Sequence, residues 1–266
     1  MYIRHSICVH ATPKKKIFTM KRLTFATILL LSFTKAFGQA PTYDDLNILY
    51  ADGKYEKLVS AASHYTEKDD TKKDALPQMW LGRGLYKISM SGTDDERFKN
   101  AYKESIGAVG KAIKLDQSGE VQSQYAEFFA EFRMSVVNMI RPDVENGDFK
   151  KASPWITKYY KINMKSIGAK YLDGVAKFKA GDRSTANTLW KEADTWLAGV
   201  NDFDSWDPAE KELLKLGVMA TADAYVTAKQ IDKAKTLLGK VKQWYEENED
   251  HPADEEFMEK YNSIVN

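Results

Sequence analysis

The chain has 266 residues, of which 39 are Lys or Arg and 38 are Asp or Glu. Residues 1–38 hold seven of these bases and no acid, so residues 39–266 carry 39 − 7 = 32 bases against 38 acids, a net charge of −6. That acidic balance argues against a nucleic-acid partner, which needs a surplus of Lys and Arg. With 43% apolar and 12% aromatic residues, the chain is also too hydrophobic to be disordered.

Residues 20–38 have the three parts of a signal peptide. Lys21 and Arg22 form a short basic start, the stretch 23–33 is apolar, and Ala36 and Gly38 place small residues before a cut at Gln39. The apolar stretch is too short to span a bilayer core of about 30 Å. We therefore expect cleavage and no stable membrane anchor, with an uncleaved interfacial anchor as the alternative.

Residues 1–19 show neither a helical nor a strand period, and we expect them to be an upstream extension from a start assigned too early. A long basic n-region is the alternative. The only cysteine, Cys8, lies in this part, and a chain without thiols suits an oxidising compartment. We expect export to the periplasm or cell envelope, or secretion. The sequence 37–39 resembles the end of signal peptides in exported Bacteroidota proteins.

Residues 39–266 are predicted to form a single all-α domain, because apolar residues follow a helical period and no alternating strand pattern occurs past residue 40. One apolar stripe consists of Tyr125, Phe128, Phe129, Phe132, Val136, Met139 and Ile140. Pro142 predicts the end of that helix, because proline lacks an N–H group.

The pattern predicts about five helix pairs and a C-terminal capping helix. The predicted pairs are 42–52 with 54–65, 74–90 with 96–115, 119–141 with 148–161, 164–180 with 182–198, and 207–227 with 230–248. The capping helix is predicted near 252–264, with acidic residues in its first turn, where the helix dipole favours them.

A turn motif recurs along this domain. A turn residue is followed five positions later by alanine and four positions after that by a large apolar residue. The three copies are Gly147 with Ala152 and Ile156, Gly181 with Ala186 and Trp190, and Lys229 with Ala234 and Leu238. A weaker copy begins at Gly53. The turn residue would end one helix in a left-handed conformation, and the alanine would allow the next helix to cross closely.

These repeats resemble the tetratricopeptide family over about residues 42–248. Matches to the first helix of a unit occur at Leu81-Gly82 with Leu85-Tyr86, at Gly174 with Phe178, and at Ala222 with Tyr225. The resemblance implies a tetratricopeptide-like α-solenoid, in which helix pairs stack because each leaves one apolar face uncovered. A non-repeating α-bundle is the alternative.

In that family the first helix of each pair lines a groove that binds another protein or a peptide segment. Counting from Gly82, Gly174 and Ala222, the resemblance implies six groove residues: Arg83, Tyr86, Lys87, Phe178, Lys179 and Asp223. Their mixed charges match no known clamp pattern.

Few residues point to catalysis or metal binding. His64 and His251 are the only histidines after residue 38, and no nucleophile, zinc or phosphate-loop motif accompanies them. The carboxylates of residues 202–210 could attract calcium, but Asp207 before Pro208 is a recognisable helix N-cap. Close helix packing explains Gly82 and Gly84 better than nucleotide binding. We expect no catalytic residue, no cofactor and no metal.

Aromatic residues at helical spacing allow two interpretations. They are Trp155, Trp190, Trp196, Trp244, Tyr159, Tyr160 and Tyr171. They are expected to pack between repeats, or else to line a groove and stack on a peptide or a sugar. The sequence predicts an exported, non-enzymatic helical-repeat protein that mediates protein–protein interaction in the cell envelope. The alternative is a soluble periplasmic protein that binds a carbohydrate or peptide ligand.

Overall fold

A computed structural model of the chain describes residues 42–248 and 251–266, and the predictions for residues 1–19 and 20–38 lie outside this part. The described residues form α-helices and no strand, which confirms the all-α prediction. The helices are α1 Asp44–Ala51, α2 Tyr55–Glu67, α3 Ala75–Ser91, α4 Ala101–Leu115, α5 Glu120–Gln124, α6 Ala126–Glu145, α7 Phe149–Tyr159, α8 Ile167–Lys179, α9 Arg183–Leu197, α10 Pro208–Thr227, α11 Ile231–Val241 and α12 Glu255–Val265. Short 3₁₀ turns span Glu96–Phe98 and Lys242–Trp244.

Twelve α-helices in the described ranges exceed the predicted five pairs and a cap. The extra helix is α5, because the prediction joined α5 and α6 in the single helix 119–141. Tyr125 separates the two, because its backbone lies outside the helical region at φ −116° and ψ 32°.

The predicted helix end at Pro142 is wrong, since α6 continues to Glu145. Proline removes only its own N–H group, and its carbonyl still accepts the Asn146 N–H at 3.1 Å. Val144 in this last turn packs into the core, which holds the turn in place.

Four turns between helices share one geometry. Gly53, Gly147, Gly181 and Lys229 have φ values of 70°, 69°, 87° and 59°, all in the left-handed region. In each turn the following residue donates its N–H to the carbonyl five residues earlier at 2.8 to 2.9 Å, the bond of a Schellman motif. Ala152, Ala186 and Ala234 are fully buried. The structure therefore confirms the repeated turn read from the sequence.

Glycines mark the closest helix crossings. A Cβ atom on Gly168 of α8 would lie 2.3 Å from the Leu213 carbonyl oxygen of α10, and one on Gly217 would lie 2.6 Å from the Gly168 carbonyl. A Cβ on Gly82 would lie 2.6 Å from the Val109 side chain. The close-packing interpretation of Gly82 is confirmed.

Residues Tyr43–Asn266 form one compact unit. Along most of it, consecutive helices pack against each other, as stacked hairpins do. The helix α6 also packs directly on α10, so the arrangement departs from strict nearest-neighbour stacking. None of the helices in the part of the chain described has both the length and the apolar character to cross a membrane.

A charged cluster ties α6, α10 and α12 together. Lys215 is only 6% exposed, and its Nζ lies 2.9 Å from both Asp254 and Glu256 and 3.4 Å from Glu212. Arg141 of α6 also pairs with Glu212. A buried lysine needs such partners, because an unpaired charge loses its hydration on burial.

Candidate functional site

A cavity of about 990 Å³ opens where the C-terminal half of α4 faces the α7–α8 connection and the start of α10. Its wall combines apolar and basic side chains. The apolar and aromatic lining residues are Ile113, Tyr160, Ile162, Met164, Ile167 and Trp206, and the basic ones are Lys111, Lys114, Arg133, Lys161 and Lys165. Asp207 and Glu210 are the two carboxylates in the lining.

Close packing at Gly110 and two polar contacts fix the shape of this cavity. Gly110 of α4 passes so near the α7–α8 connection that a Cβ on it would lie 2.6 Å from the Lys161 carbonyl oxygen. Arg133 of α6 donates from Nε to Asp207 at 2.7 Å, and the Tyr159 hydroxyl donates to Glu210 at 2.5 Å. Both carboxylates of the wall are therefore engaged within the protein.

Four lysines of the wall remain available to a ligand. Lys111, Lys114, Lys161 and Lys165 are exposed, and none pairs with a carboxylate anywhere in residues 42–248 and 251–266. With Arg133, the wall carries five cations against two carboxylates, a surplus of three positive charges in an otherwise acidic protein. We call this cavity, defined by its four unpaired lysines, the lysine cleft.

A second cavity of about 550 Å³ lies at the other end of α4. Met90 and Met139 border it and are 57% and 43% exposed. The rings of Tyr102 and Trp155 lie 5.9 Å apart in its wall, and burial raises the pKa of Tyr102 to about 12. We call it the methionine cavity. Unbranched methionine adapts to many apolar partners.

The resemblance nominated three groove residues on α3, and the structure gives them different roles. The Arg83 guanidinium stacks 3.9 Å from the Tyr50 ring centroid and 5.3 Å from that of Trp80. Tyr86 is buried and contacts the Phe132 ring edge-on at 5.2 Å, and it also borders the methionine cavity. Lys87 pairs with Glu131 of α6 at 3.4 Å.

The other three nominated residues lie on α8 and α10. Phe178 is half-buried with its ring 5.8 Å from that of Trp190, and Lys179 is exposed at the end of α8. Asp223 is exposed and pairs with Lys260 of α12 at 2.9 Å. None of the six lines the lysine cleft.

The acidic stretch 202–210 leads into α10, and the predicted aromatic residues lie in or against the hydrophobic core. Asp207 accepts the Ala209 N–H at 2.7 Å, which confirms its role as an N-cap. In the described ranges, no three His, Cys, Asp or Glu side chains are arranged so that they could hold a metal ion. Trp190, Tyr159 and Tyr171 are buried in the core, whereas Trp155 and Tyr160 border the two cavities.

Sequence reasoning missed the lysines of the cleft, although α4 carried a signal. Lys103, Gly107, Lys111 and Lys114 recur at intervals of four, four and three residues, which places them on one helix face. Lys161 and Lys165 belong to an irregular connection. Its position against α4 depends on the fold and not on any local pattern.

No model of a known protein family matches the chain, and no curated protein shows a significant match to it.

Proposed function

We propose that the protein is an exported, non-enzymatic helical-repeat protein that binds a segment of another protein in the lysine cleft. The observation that carries this proposal is the clustering of four unpaired lysines around an apolar wall. A cavity with apolar walls and a few charged groups suits binding, because the walls supply hydrophobic contact and the charges orient the ligand.

The surroundings of the cleft favour recognition over chemistry. Its carboxylates already pair with Arg133 and accept a hydrogen bond from Tyr159, so the charges that remain without a partner in the wall are those of lysines. The unpaired lysines are exposed and can contact a ligand without first breaking ion pairs.

A tetratricopeptide-like solenoid is part of the same proposal. The four left-handed turns and the buried alanines support it, whereas the contact of α6 with α10 is not expected of a simple linear stack. Export is proposed from the signal peptide at 20–38 and from the absence of cysteine in residues 39–266.

Crosslinking in the producing cells tests the proposal. A tagged protein would be captured with its partners, and the partners would be quantified by mass spectrometry for the wild type and for Lys111→Glu with Lys161→Glu. We expect at least one abundant partner whose recovery falls about tenfold in this variant, because reversed charges across an interface repel.

A matched control reverses exposed, unpaired lysines elsewhere. Lys57→Glu with Lys191→Glu changes the net charge equally on α2 and α9, which line neither cavity. The control should retain the partner. Equal loss in both variants contradicts binding in the cleft. Recovery of the protein alone contradicts the protein–protein function and favours the periplasmic carbohydrate- or peptide-ligand function.

A further inference from the structure

The lysine cleft and the methionine cavity border the same two elements. The helix α4 supplies Lys103 to the methionine cavity and Lys114 to the lysine cleft. On the facing side, Trp155 of α7 borders the methionine cavity, and Lys161, just after α7, borders the lysine cleft. Because a helix rises about 1.5 Å per residue, the path from Lys103 to Lys114 covers about 16 Å.

The surface between the two cavities is also basic. Lys158 lies there, with its Nζ 4.9 Å from the ring centroid of Trp155. Burial lowers the pKa of Lys158, and the nearby charges of Lys103 and Lys161 lower it further. None of these three lysines pairs with a carboxylate in the described part of the chain. We call Lys103, Lys158 and Lys161 the lysine bridge.

The closeness of the three lysines in the lysine bridge favours ligands that carry negative charge. Like charges held close together raise the free energy of the unbound protein, and an anion placed among them relieves that repulsion. A ligand that crosses the bridge therefore gains most when it carries negative charge there. A ligand that also ends in an apolar group can bury the exposed parts of Met90 and Met139.

We propose that the lysine cleft, the lysine bridge and the methionine cavity form one continuous site for an extended acidic segment of another protein. An apolar side chain of the segment occupies the methionine cavity, and its carboxylates lie over the bridge and in the cleft. This proposal rests on the proposed function and specifies its ligand. An extended chain covers about 3.3 Å per residue, so about five residues cross the 16 Å and about seven fill the site.

A peptide fits this site better than a nucleic acid does. Residues 39–266 carry a net charge of −6, which repels any part of a long polyphosphate that extends beyond the lysine cleft and the lysine bridge. A short peptide segment with a few carboxylates contacts only the lysines of the site, so this repulsion is small for it. The methionine cavity adds an apolar anchor point that a sugar–phosphate backbone cannot fill.

Fluorescence anisotropy with labelled synthetic peptides tests the proposal on the purified protein. The probe has about ten residues, with Leu-Phe at one end followed by alternating Glu and Ser. One matched peptide replaces each Glu with Gln, another replaces Leu-Phe with Ser-Ser, and a third replaces each Glu with Lys. A labelled single-stranded oligonucleotide of similar length is the nucleic-acid arm.

We expect the Leu-Phe acidic peptide to bind, and each of the Gln and Ser-Ser peptides to bind about tenfold more weakly. Raising the salt concentration from about 0.05 M to about 0.5 M should weaken binding, because it screens exposed charges. The variant Lys103→Glu with Lys158→Gln should lose about tenfold in affinity. Lys57→Glu with Lys191→Glu should bind as the wild type does, and circular dichroism should show every variant folded.

Equal or tighter binding of the Gln peptide, the Lys peptide or the oligonucleotide would overturn the proposal, and so would absence of binding by the acidic peptide. These failures differ from failure of the proposed function. If a captured partner depends on Lys111 and Lys161 but the acidic peptide does not bind, the cleft binds a protein of other chemistry. If no partner depends on the cleft, the proposed function itself fails.

Discussion

Lys229 is the one position among the four repeated turns where a residue with a side chain adopts the left-handed conformation. An L-residue with a side chain pays roughly 1–2 kcal/mol there, because its Cβ approaches the following carbonyl. Glycine avoids this cost but loses about 0.5–1 kcal/mol more conformational entropy on folding. Lys229→Gly should therefore stabilise the protein by about 0.5–1 kcal/mol. The exposed Lys229 side chain makes no ion pair with any residue of the described ranges, so little else is lost.

The assay is urea unfolding followed by circular dichroism, together with thermal melting. For a domain of this size the expected stabilisation raises Tm by about 2 °C. The reverse change, Gly181→Ala, should cost about 1 kcal/mol, because φ is 87° while the space around the glycine is open. Lys191→Gly, in the exposed interior of α9, should also cost about 1 kcal/mol, since glycine is a poor helix former. If Lys229→Gly destabilises as much as Lys191→Gly does, the left-handed turn at Lys229 is wrong.

Three further predictions concern the packing of the described residues, and a fourth concerns the signal-peptide pattern of the sequence. Gly168→Ala should cost about 3 kcal/mol in urea unfolding, because its Cβ would meet the α10 backbone, and a cost below about 1 kcal/mol would contradict this crossing. Lys215→Met should cost about 2–3 kcal/mol in the same assay, because it leaves three carboxylates facing each other, whereas exposed Lys191→Met should change stability by less than about 0.5 kcal/mol. Burial raises the pKa of Tyr159, Tyr171 and Tyr245 above the ordinary value near 10. Their contribution to stability is therefore complete below about pH 10 and is lost as pH rises further, because the unfolded chain then releases protons that the folded protein retains. Partly exposed tyrosines should ionise first in the folded protein, and the remaining rise in tyrosinate absorbance should accompany loss of circular dichroism. Ionisation of all the tyrosines in a fully helical protein would contradict the burial. Mass spectrometry of the protein from its own cells should find an N-terminus at Gln39, and a chain that begins upstream would contradict cleavage there.

The helices and their turns could be predicted because their signals are local. Apolar period, proline and N-cap residues placed most helices within a few residues, and the Gly147 and Gly181 turns appeared as a repeated motif. The local rules failed at two points. The predicted helix 119–141 continued across Tyr125, where the backbone leaves the helical region. The predicted end at Pro142 was wrong because proline removes one N–H group from the helix, while its carbonyl still accepts a helical hydrogen bond.

The candidate site could be predicted only in part, because it depends on contacts between distant segments. The lysines of α4 share a face that is visible in the sequence, but the approach of Lys161 to Gly110 and the pairing of Arg133 with Asp207 join residues far apart in the chain. The family resemblance implied that the first helix of each pair lines the binding groove. The lysine cleft instead has its lysines on α4 and in the α7–α8 connection.

Photocrosslinking from inside the lysine cleft can show whether an acidic protein segment binds there. Met164 is 76% exposed and borders the cleft, so a photoreactive amino acid placed there touches any bound segment without removing a lysine. The same photoreactive group at position 191 is the control, because Lys191 lies on an exposed helix surface outside both cavities. We predict that irradiation of living cells attaches a partner peptide rich in Asp and Glu at position 164 and not at 191. The same crosslinked products from both positions, or no product at position 164, would contradict binding of an acidic protein segment in the lysine cleft.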